Sequence, residues 1–404
     1  MNRRIPVFIA GTNCLSGVTT WAEQLSAALT DHHRYDVRLL HIDQQDKSSG
    51  LATVVATIEE ASSLVRSAAP AIVIPNYVWP LFLTGLEPGV RCVGVCHADD
   101  VAQYHRPLSW YEPAITKFIA VSRECTEKLH QFIPCRTEDV TTLPYGVHVP
   151  SPLNRTYQAK PLRLIYAGRV TQPQKRVWDF VPLVENLLRA KVPFVFDIVG
   201  GGDEFEPLKQ MMHARIPAAD VRFHPRVPHA QMPSIWLEHD IFVQVSDFEG
   251  TSVSMLEAMA HGVVPVVTAA SSGIADVITS KDNGFVVPIG DMAAMSACIA
   301  QLAEDATLLK SVGRAAYGTA QAYAMDLYAR KFVQFLDEVM NERHVDYHKR
   351  YGIFSPTHPL FLQRQQLEKQ LVEIPQVSSE RPTQRRLADR LRNLRRRGGD
   401  KQAA

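Results

Sequence analysis

The sequence predicts an α/β protein that is built from two Rossmann-like domains. Short apolar runs rich in β-branched residues alternate with helical stretches along most of the chain, which is typical of parallel sheets covered on both faces. A chain of 404 residues is too long for one hydrophobic core, and a polar, proline-containing stretch at 150–161 separates two such series of strands. We therefore expect one domain at residues 1–155 and another at 160–325.

The first domain is predicted to begin with a strand, a glycine-containing loop and a helix from Thr19 to Leu29. Val18 stands where a Walker P-loop requires lysine, and the three-glycine dinucleotide fingerprint is missing from this loop. Neither nucleotide triphosphate hydrolysis nor dinucleotide binding is therefore predicted, although Gly17 remains at the start of the helix. The expected strands of this domain are residues 6–10, 37–42, 71–75, 90–96 and 117–122.

The second domain is predicted to repeat the same alternation. Its expected strands are residues 162–168, 194–200, 221–225, 241–246, 263–268 and 284–288. The helices expected between and after them are residues 177–190, 204–214, 229–239, 252–261 and 292–304. A further helix is expected at 325–345, because its apolar residues recur at helical spacing.

One stretch of the second domain, SDFEGTSVSMLEAMAHGVVPVVT at 246–268, joins a buried strand to a short helix. Thr251 and Ser252 are favourable N-cap residues, and Gly262 stands where a glycine commonly ends a helix. The start of this helix is therefore expected at the carboxyl edge of a strand. In open α/β sheets ligands bind at that edge, and the unpaired N–H groups of a helix start favour phosphate.

Two carboxylates flank the start of this helix. Glu249 and Glu257 would lie about 80° apart on one regular helix, so Glu249 is expected in the loop and Glu257 on the helix. Both side chains can then face the same crevice. The alternative is an ordinary capped helix with one exposed and one paired glutamate.

Three further polar side chains follow predicted strands. Arg169 and Lys175 are separated by a loop that contains Pro173, and this pair of cations suits a diphosphate, since arginine can contact two oxygens while lysine acts as a point charge. His97 directly follows the strand at 90–96. The alternatives are solvated surface cations and a histidine that is hydrogen-bonded within the structure.

These motifs together resemble one enzyme family. The pattern E-G-x6-E, followed by A-M-A-x-G and P-V-V, and the upstream G-R-x5-K are similar to those of the family-4 retaining glycosyltransferases. The resemblance covers the chain to near residue 345. It implies the GT-B architecture, in which two Rossmann-like domains face each other across a cleft and a late helix, at 326–348, crosses back to the first domain.

The resemblance also implies an activity and its residues. The enzyme would be a hexosyltransferase that moves a sugar from a nucleotide-diphosphate sugar to a saccharide or lipid-linked acceptor in polysaccharide or glycoconjugate biosynthesis, without a cofactor or a covalent nucleophile. Glu249 would hold the donor sugar, Glu257 the ribose, and His97 the transferred sugar from the opposite domain. The remaining expected donor contacts are Gly17, Arg169, Lys175, Gly250, Thr251 and Ser252.

Two positions depart from the family pattern. Tyr145 in TTLPYGVHVP stands where the interdomain motif I-x-N-G-V has asparagine. Asp276 in SSGIADV stands where a Gly-Gly-x-x-Glu turn has glutamate. The departure at Asp276 questions the donor-sugar contacts that the resemblance implies there.

Composition bears on partners and location. The sequence has no D-x-D, and its six cysteines form no C-x-x-C, so no metal is expected and the cysteines indicate a reducing compartment. No segment has the ~18–20 apolar residues of a membrane span, which favours the cytoplasm. A net charge of +1 does not suggest a nucleic acid as a partner.

The charge is unevenly distributed along the chain. The 351–404 tail has eleven Lys/Arg against five Asp/Glu, an excess of +6, so the preceding residues carry −5. At 385–397, three leucines at helical spacing lie among seven arginines and one aspartate. This segment would hold the protein at the inner face of an anionic membrane, or it is a disordered, solvated extension.

Two other functions share the predicted fold. One is an isomerase of the sugar-nucleotide 2-epimerase type, which would turn over without an acceptor. The other is a non-catalytic scaffold that binds a nucleotide sugar. The joint presence of Arg169, Lys175, Glu249 and Glu257 argues against the scaffold, because binding alone does not need all four.

Overall fold

The computed structural model describes residues 4–11, 17–42, 52–157, 161–270 and 272–342. These residues all belong to one compact unit, Met1–Ser355, and they contain two parallel sheets. The second unit, Pro356–Ala404, lies outside the described residues. The predictions about the tail at 351–404 and its basic segment at 385–397 therefore concern residues without a structural description.

The first sheet has seven parallel strands in the order β3-β2-β1-β4-β5-β6-β7. Its strands are β1 (Ile5–Gly11), β2 (Tyr35–Ile42), β3 (Ala52–Val55), β4 (Ala71–Ile74), β5 (Val90–Cys96), β6 (Lys117–Ala120) and β7 (Val140–Thr142). Its helices are α1 (Gly17–Ala28), α2 (Ile58–Ser67), α3 (Arg106–Trp110) and α4 (Arg123–Phe132). The sequence analysis missed β3 and β7, which are short edge strands that pair on one side only.

The second sheet has six parallel strands in the order β10-β9-β8-β11-β12-β13. Its strands are β8 (Leu162–Arg169), β9 (Phe194–Gly201), β10 (Val221–His224), β11 (Ile241–Gln244), β12 (Val264–Thr268) and β13 (Phe285–Val287). The helices of this half are α5 (Phe180–Arg189), α6 (Phe205–Arg215), α7 (Met232–Leu237), α8 (Val253–Ala260), α9 (Ser272–Ala275), α10 (Met292–Glu304) and α11 (Ala306–Ala320). The predicted α/β architecture with two parallel, Rossmann-like sheets is thus confirmed, and every predicted strand is present.

Helix α11 was not predicted. Only Asp305 separates it from α10, and the Asp305 carboxylate accepts hydrogen bonds from the backbone N–H groups of Thr307 and Leu308. Glycine disfavours helices in general, but Gly313 lies against the Tyr157 ring, where a β-carbon would collide. Close packing therefore accounts for a glycine that weakens the local helical signal.

The last described helix, α12 (Met325–Asn341), packs against the first sheet's half of the molecule. Trp21 Nε1 donates to Tyr328 Oη at 2.6 Å, and Tyr35 Oη donates to Asp337 Oδ1 at 2.6 Å. The chain leaves the first half at Val147 and returns at Ala324, where the two segments pair as a β-bridge. The two crossings between the halves therefore lie side by side. Over the residues that the structure describes, no helix is long and apolar enough to cross a membrane.

Candidate active site

The carboxyl edges of the two sheets meet at the loop that follows β11. The backbone N–H of Asp99, after β5, donates to the carbonyl of Glu249 at 3.4 Å. Thr251 Oγ1 donates to the carbonyl of Val121, after β6. The loop at 246–252 therefore closes against the ends of two strands of the first sheet, where the sequence places its candidate residues.

Gly250 permits this close approach. A β-carbon at Gly250 would lie far inside van der Waals contact of the His97 carbonyl oxygen and 2.8 Å from Val121 Cγ2. Because the first of these obstacles is backbone, it cannot turn aside as a flexible side chain would. Any larger residue at position 250 would have to push the two halves apart.

Helix α8 begins and ends as its sequence predicts. Ser252 is the N-cap, and its Oγ accepts from Met255 N at 3.3 Å and donates to Gln244 Oε1 at 2.7 Å. Gly262 follows the helix with φ of +70°, a conformation that favours glycine. Thr251, also predicted as a possible cap, instead donates its hydroxyl hydrogen bond to the Val121 carbonyl of the opposite half.

The start of α8 lies beside the start of α1. A β-carbon at Gly17, the first residue of α1, would be 3.9 Å from Val253 Cγ2, the first residue of α8. The first N–H groups of a helix have no intrahelical partners and carry partial positive charge. Two such helix starts, one from each half, therefore converge at the sheet edges and suit an anion with several oxygens.

The predicted cation pair lies next to this point. Lys175 Nζ is 2.6 Å from Glu249 Oε1, and their side chains are only 16% and 8% exposed. The neighbouring Gln174 side chain holds the same loop, since its Nε2 donates to the Phe248 carbonyl at 3.2 Å. Glu249 is thus in the loop, as predicted, and Lys175 neutralises its charge.

Arg169 has a different environment from Lys175. Its Nη2 donates to Gln174 Oε1 at 2.7 Å, and its side chain is exposed at the end of β8. A carboxamide holds the guanidinium in place without neutralising it. Arg169 therefore presents a full positive charge at the edge of the sheet.

Glu257 lies on α8, also as predicted, and it is 7% exposed. Its Oε1 is 2.6 Å from His229 Nε2 and accepts from Gln24 Nε2 at 3.1 Å. The hydrogen bond with Glu257 raises the pKa of His229, although partial burial opposes this. The sequence analysis missed both partners, because Gln24 and His229 lie 233 and 28 residues away and belong to no recognisable motif.

His97 follows β5 but is held on both sides. Its Nε2 is 2.9 Å from Asn76 Oδ1, and its Nδ1 is 2.6 Å from Tyr145 Oη. Asn76 Nδ2 donates to the Ala10 carbonyl, so Oδ1 is the atom that faces the imidazole. Because Oδ1 can only accept, the proton is assigned to His97 Nε2, and Nδ1 accepts from the Tyr145 hydroxyl.

Burial completes the environment of His97. The side chain is enclosed by the rings of Trp21, Tyr104 and Tyr145, and the residue is 5% exposed. Desolvation lowers the pKa of His97 to about 3, so the ring is neutral near pH 7. The geometry therefore matches the alternative of a structurally satisfied histidine, and a sugar hydroxyl could reach a ring nitrogen only if Asn76 or Tyr145 moved.

The two departures from the family pattern act differently: Tyr145 contacts a residue of its own half, and Asp276 contacts the opposite half. Tyr145 occupies the Nδ1 side of His97, and burial raises the pKa of Tyr145, so its hydroxyl remains a donor. Asp276 accepts from the Arg123 backbone N–H at 3.1 Å and from its Nε at 3.2 Å. Asp276 is therefore engaged with the start of α4 on the first half. Among the described residues, no group of three or more His, Cys, Asp and Glu could hold a metal ion.

A family model supplies the remaining evidence. The model of the glycosyl transferases group 1 matches residues 155–319, the half that contains Arg169, Lys175, Glu249 and Glu257. Residues 155–319 therefore match the group 1 glycosyltransferases, and the named relatives support a glycosyltransferase enzyme. In this glycosyltransferase, the matched segment does not include Gly17, Gln24 or His97. These residues belong to the first domain and lie near the site because the two domains pack together.

Curated relatives resemble the glycosyltransferase over unequal lengths. A putative colanic acid biosynthesis glycosyltransferase, WcaL of Salmonella typhimurium, is 24% identical over 312 residues, 70% of this chain and 76% of the relative. The 2-deoxystreptamine N-acetyl-D-glucosaminyltransferase of Streptomyces fradiae is 32% identical over 143 residues, 35% of this chain and 34% of the relative. The chain thus spans only about a third of the second relative.

Solved structures share the fold of the glycosyltransferase at low sequence identity. The pneumococcal O-GlcNAc transferase GtfA, in complex with UDP and GlcNAc, has a TM-score of 0.68 at 12% identity, covering 84% of this chain and all of that chain. HepE of Anabaena, in complex with UDP-glucose, has a TM-score of 0.67 at 13% identity, covering 83% of this chain and all of that chain. The GT-B arrangement of two Rossmann-like domains that the sequence predicts is therefore confirmed.

Proposed function

We propose that this glycosyltransferase moves a sugar from a nucleotide-diphosphate sugar to a saccharide or lipid-linked acceptor, with retention of the anomeric configuration. The observation that carries this proposal is the convergence of the α1 and α8 helix starts beside Lys175, Arg169 and Glu249. Structural neighbours in complex with UDP, GlcNAc or UDP-glucose support a nucleotide-sugar donor and a saccharide acceptor. The colanic acid biosynthesis glycosyltransferase among the relatives supports a role in polysaccharide biosynthesis.

Departure of the diphosphate is the step that the cations serve. As the bond between the sugar's anomeric carbon and the phosphate oxygen breaks, negative charge accumulates on the diphosphate. Arg169, Lys175 and the N–H groups of both helix starts would oppose that charge. Removing one such preorganised donor typically costs about 3–4 kcal/mol of transition-state stabilisation. Lys175 would then exchange its contact with Glu249 for a phosphate oxygen, which leaves the Glu249 carboxylate to accept from donor-sugar hydroxyls.

The acceptor hydroxyl would attack from the face that the leaving phosphate vacates. The phosphate oxygen takes the hydroxyl proton while the new glycosidic bond forms, so the charges balance without a protein nucleophile. Neutral His97 is not suited to general base catalysis near pH 7, since desolvation holds its pKa at about 3. We further propose that no metal or other cofactor takes part, the nucleotide-diphosphate sugar being a co-substrate.

A donor screen tests this proposal directly. Thermal-shift measurements with UDP-, GDP- and ADP-sugars identify the donor by the rise in melting temperature that binding produces. Turnover with a panel of saccharide acceptors, and the anomeric coupling of the product by NMR, then test transfer and retention. Donor conversion without any acceptor would favour the 2-epimerase type of isomerase. Donor binding without conversion under all conditions would favour a binding scaffold.

We also propose a cytoplasmic enzyme that binds the inner membrane face reversibly, where lipid-linked acceptors lie. The basic segment at 385–397, outside the described residues, would provide the attachment, because each Lys or Arg near an anionic surface contributes about 1 kcal/mol. Truncation after Pro375 should then abolish co-sedimentation with anionic liposomes at low salt but leave transfer to a soluble acceptor intact. Full-length protein that ignores such liposomes at low salt would make the segment a solvated extension.

A further inference from the structure

We propose that Gln24 of the first domain adds a second contact to the ribose that Glu257 is expected to hold, and that nucleotide binding displaces His229 from Glu257. This inference rests on the proposed nucleotide-sugar donor and extends it. Gln24 lies on α1 of the first domain, and Glu257 lies on α8 of the second. The two residues meet where the helices run beside each other across the cleft.

The contact between these helices has two points. Near their starts, Gly17 lies next to Val253. Further along, Gln24 Nε2 donates to Glu257 Oε1 at 3.1 Å. A ligand whose diphosphate lies at the first point therefore has its adjoining ribose within reach of the second.

The side-chain carbonyl oxygen of Gln24 lacks the hydrogen bond that a buried acceptor usually has. Gln24 Oε1 is buried and has no hydrogen-bond partner in the part of the chain that the structure describes. A buried acceptor without a donor costs free energy, and such groups are rare in folded proteins. A ligand hydroxyl at this position would satisfy the atom, and it would sit beside the Glu257 carboxylate.

A ribose offers the matching chemistry. It has two adjacent hydroxyls, each of which can donate one hydrogen bond. One would donate to Glu257 and the other to Gln24 Oε1. Binding would then need both domains in place, and a nucleotide that lacks one hydroxyl would lose a defined contact.

His229 competes for the same carboxylate. Its Nε2 is 2.6 Å from Glu257 Oε1 and 2.9 Å from Gln24 Nε2, so the side chains of His229 and Gln24 both contact a single carboxylate oxygen. The side chain of His229 is 38% exposed and can turn towards solvent. The carboxylates that act on His229 are Glu257 of α8 and, more weakly, Glu23 of α1.

Displacement of His229 has a spectroscopic consequence. The hydrogen bond with Glu257 is the main cause that raises the pKa of His229 in the free protein. When a ribose hydroxyl takes over Glu257, the pKa of His229 should fall towards its ordinary value. NMR titration of the His229 ring, with and without saturating UDP, GDP or ADP, measures this change, which a purely structural role for Gln24 and Glu257 would not produce.

Binding measurements complete the test. Dissociation constants are measured by calorimetry for UDP, GDP and ADP and for their 2′-deoxy and 3′-deoxy counterparts. For the ribonucleotide that binds, Gln24→Leu should raise Kd about fivefold, the usual magnitude for one hydrogen bond, and should shrink the preference over one deoxynucleotide. Gln24→Asn, which keeps the amide but shortens its reach, should behave similarly. Gln301→Leu on the exposed face of α10 is the matched control and should change neither quantity.

The outcomes separate this inference from the proposed function. If the wild-type protein binds a ribonucleoside diphosphate but Gln24→Leu and Gln24→Asn bind it equally well, the shared ribose site is wrong while the proposed function stands. An unchanged pKa of His229 on binding would overturn the displacement. If the wild-type protein binds none of the three nucleotides, the proposed function fails and the ribose site fails with it.

Discussion

The two domains contribute opposite kinds of surface to the cleft. The second domain presents ionisable groups in pairs, Lys175 with Glu249 and His229 with Glu257. The first domain presents His97, which is neutral, buried and bonded at both ring nitrogens. An ion pair can exchange one partner for a charged ligand, whereas a satisfied neutral group resists change. The comparison indicates that the second domain supplies the charged groups of the site, whereas the first domain supplies a rigid, neutral wall.

The largest effect is expected from a substitution that prevents the loop at Gly250 from contacting the first domain. Gly250→Ala should lower turnover about a hundredfold, because a methyl group there collides with the His97 carbonyl and misplaces Glu249 relative to the first domain. Gly318→Ala is the control, since nothing lies within 4 Å of a β-carbon at that position. Steady-state kinetics on both folded variants measures the effect. Equal turnover would mean that the reaction does not need this close contact.

Removing one cation tests the charged side alone. Lys175→Ala and Arg169→Ala should each lower kcat at least tenfold, because the leaving diphosphate loses a preorganised positive group. Lys310→Ala, an exposed lysine on α11, should leave kcat unchanged. Circular dichroism and melting temperature establish that each variant is folded. Near-normal kinetics in both site variants would remove Arg169 and Lys175 from the diphosphate site.

The neutral side is tested by the dependence of stability on pH. The pKa of His97 is about 3 in the folded protein and near 6.5 when unfolded, so only the unfolded chain binds this proton between those values. His97 should therefore make the folded state less stable as the pH falls from 6.5 towards 3, by up to about 1.4 kcal/mol per pH unit, and should have no such effect above 6.5. His97→Gln removes this dependence.

Urea denaturation at pH 7, 6 and 5 compares the wild-type protein with His97→Gln. The slope of the unfolding free energy against pH should be smaller in the variant. His148→Gln, at an exposed position, serves as the control for removing a histidine. Identical slopes in the wild-type protein and in His97→Gln would show that His97 is not held neutral.

The smallest expected effect is that of a metal chelator, which should leave the rate of transfer unchanged. We expect transfer to continue in excess EDTA, because the proposed site opposes the diphosphate charge with Arg169, Lys175 and two helix starts. Initial rates with and without chelator measure this. Loss of activity that magnesium or manganese restores would show that a metal shares the role assigned to the cations.

Local sequence determined much of the second domain. Its strands are continuous buried runs and are visible as such, and the start and end of α8 follow from Ser252 and Gly262 through contacts with near neighbours. The positions of Glu249 in a loop and Glu257 on a helix follow from their spacing. These features depend on interactions within a few residues, which is why a single sequence is sufficient to predict them.

Only the tertiary structure decided which distant groups meet. Tyr145 holds His97 within the first domain from 48 residues away, and Gln24 reaches Glu257 across the cleft from 233 residues away. Neither pair has a periodic or local signal, because the first depends on how distant segments of one domain pack and the second on how the two domains approach. The edge strands β3 and β7 are only four and three residues long and pair with one neighbour each, so they are also hard to recognise from local sequence. Sequence thus determined the elements and their chemistry, while the packing of distant segments determined which charges are paired and which histidine is neutral.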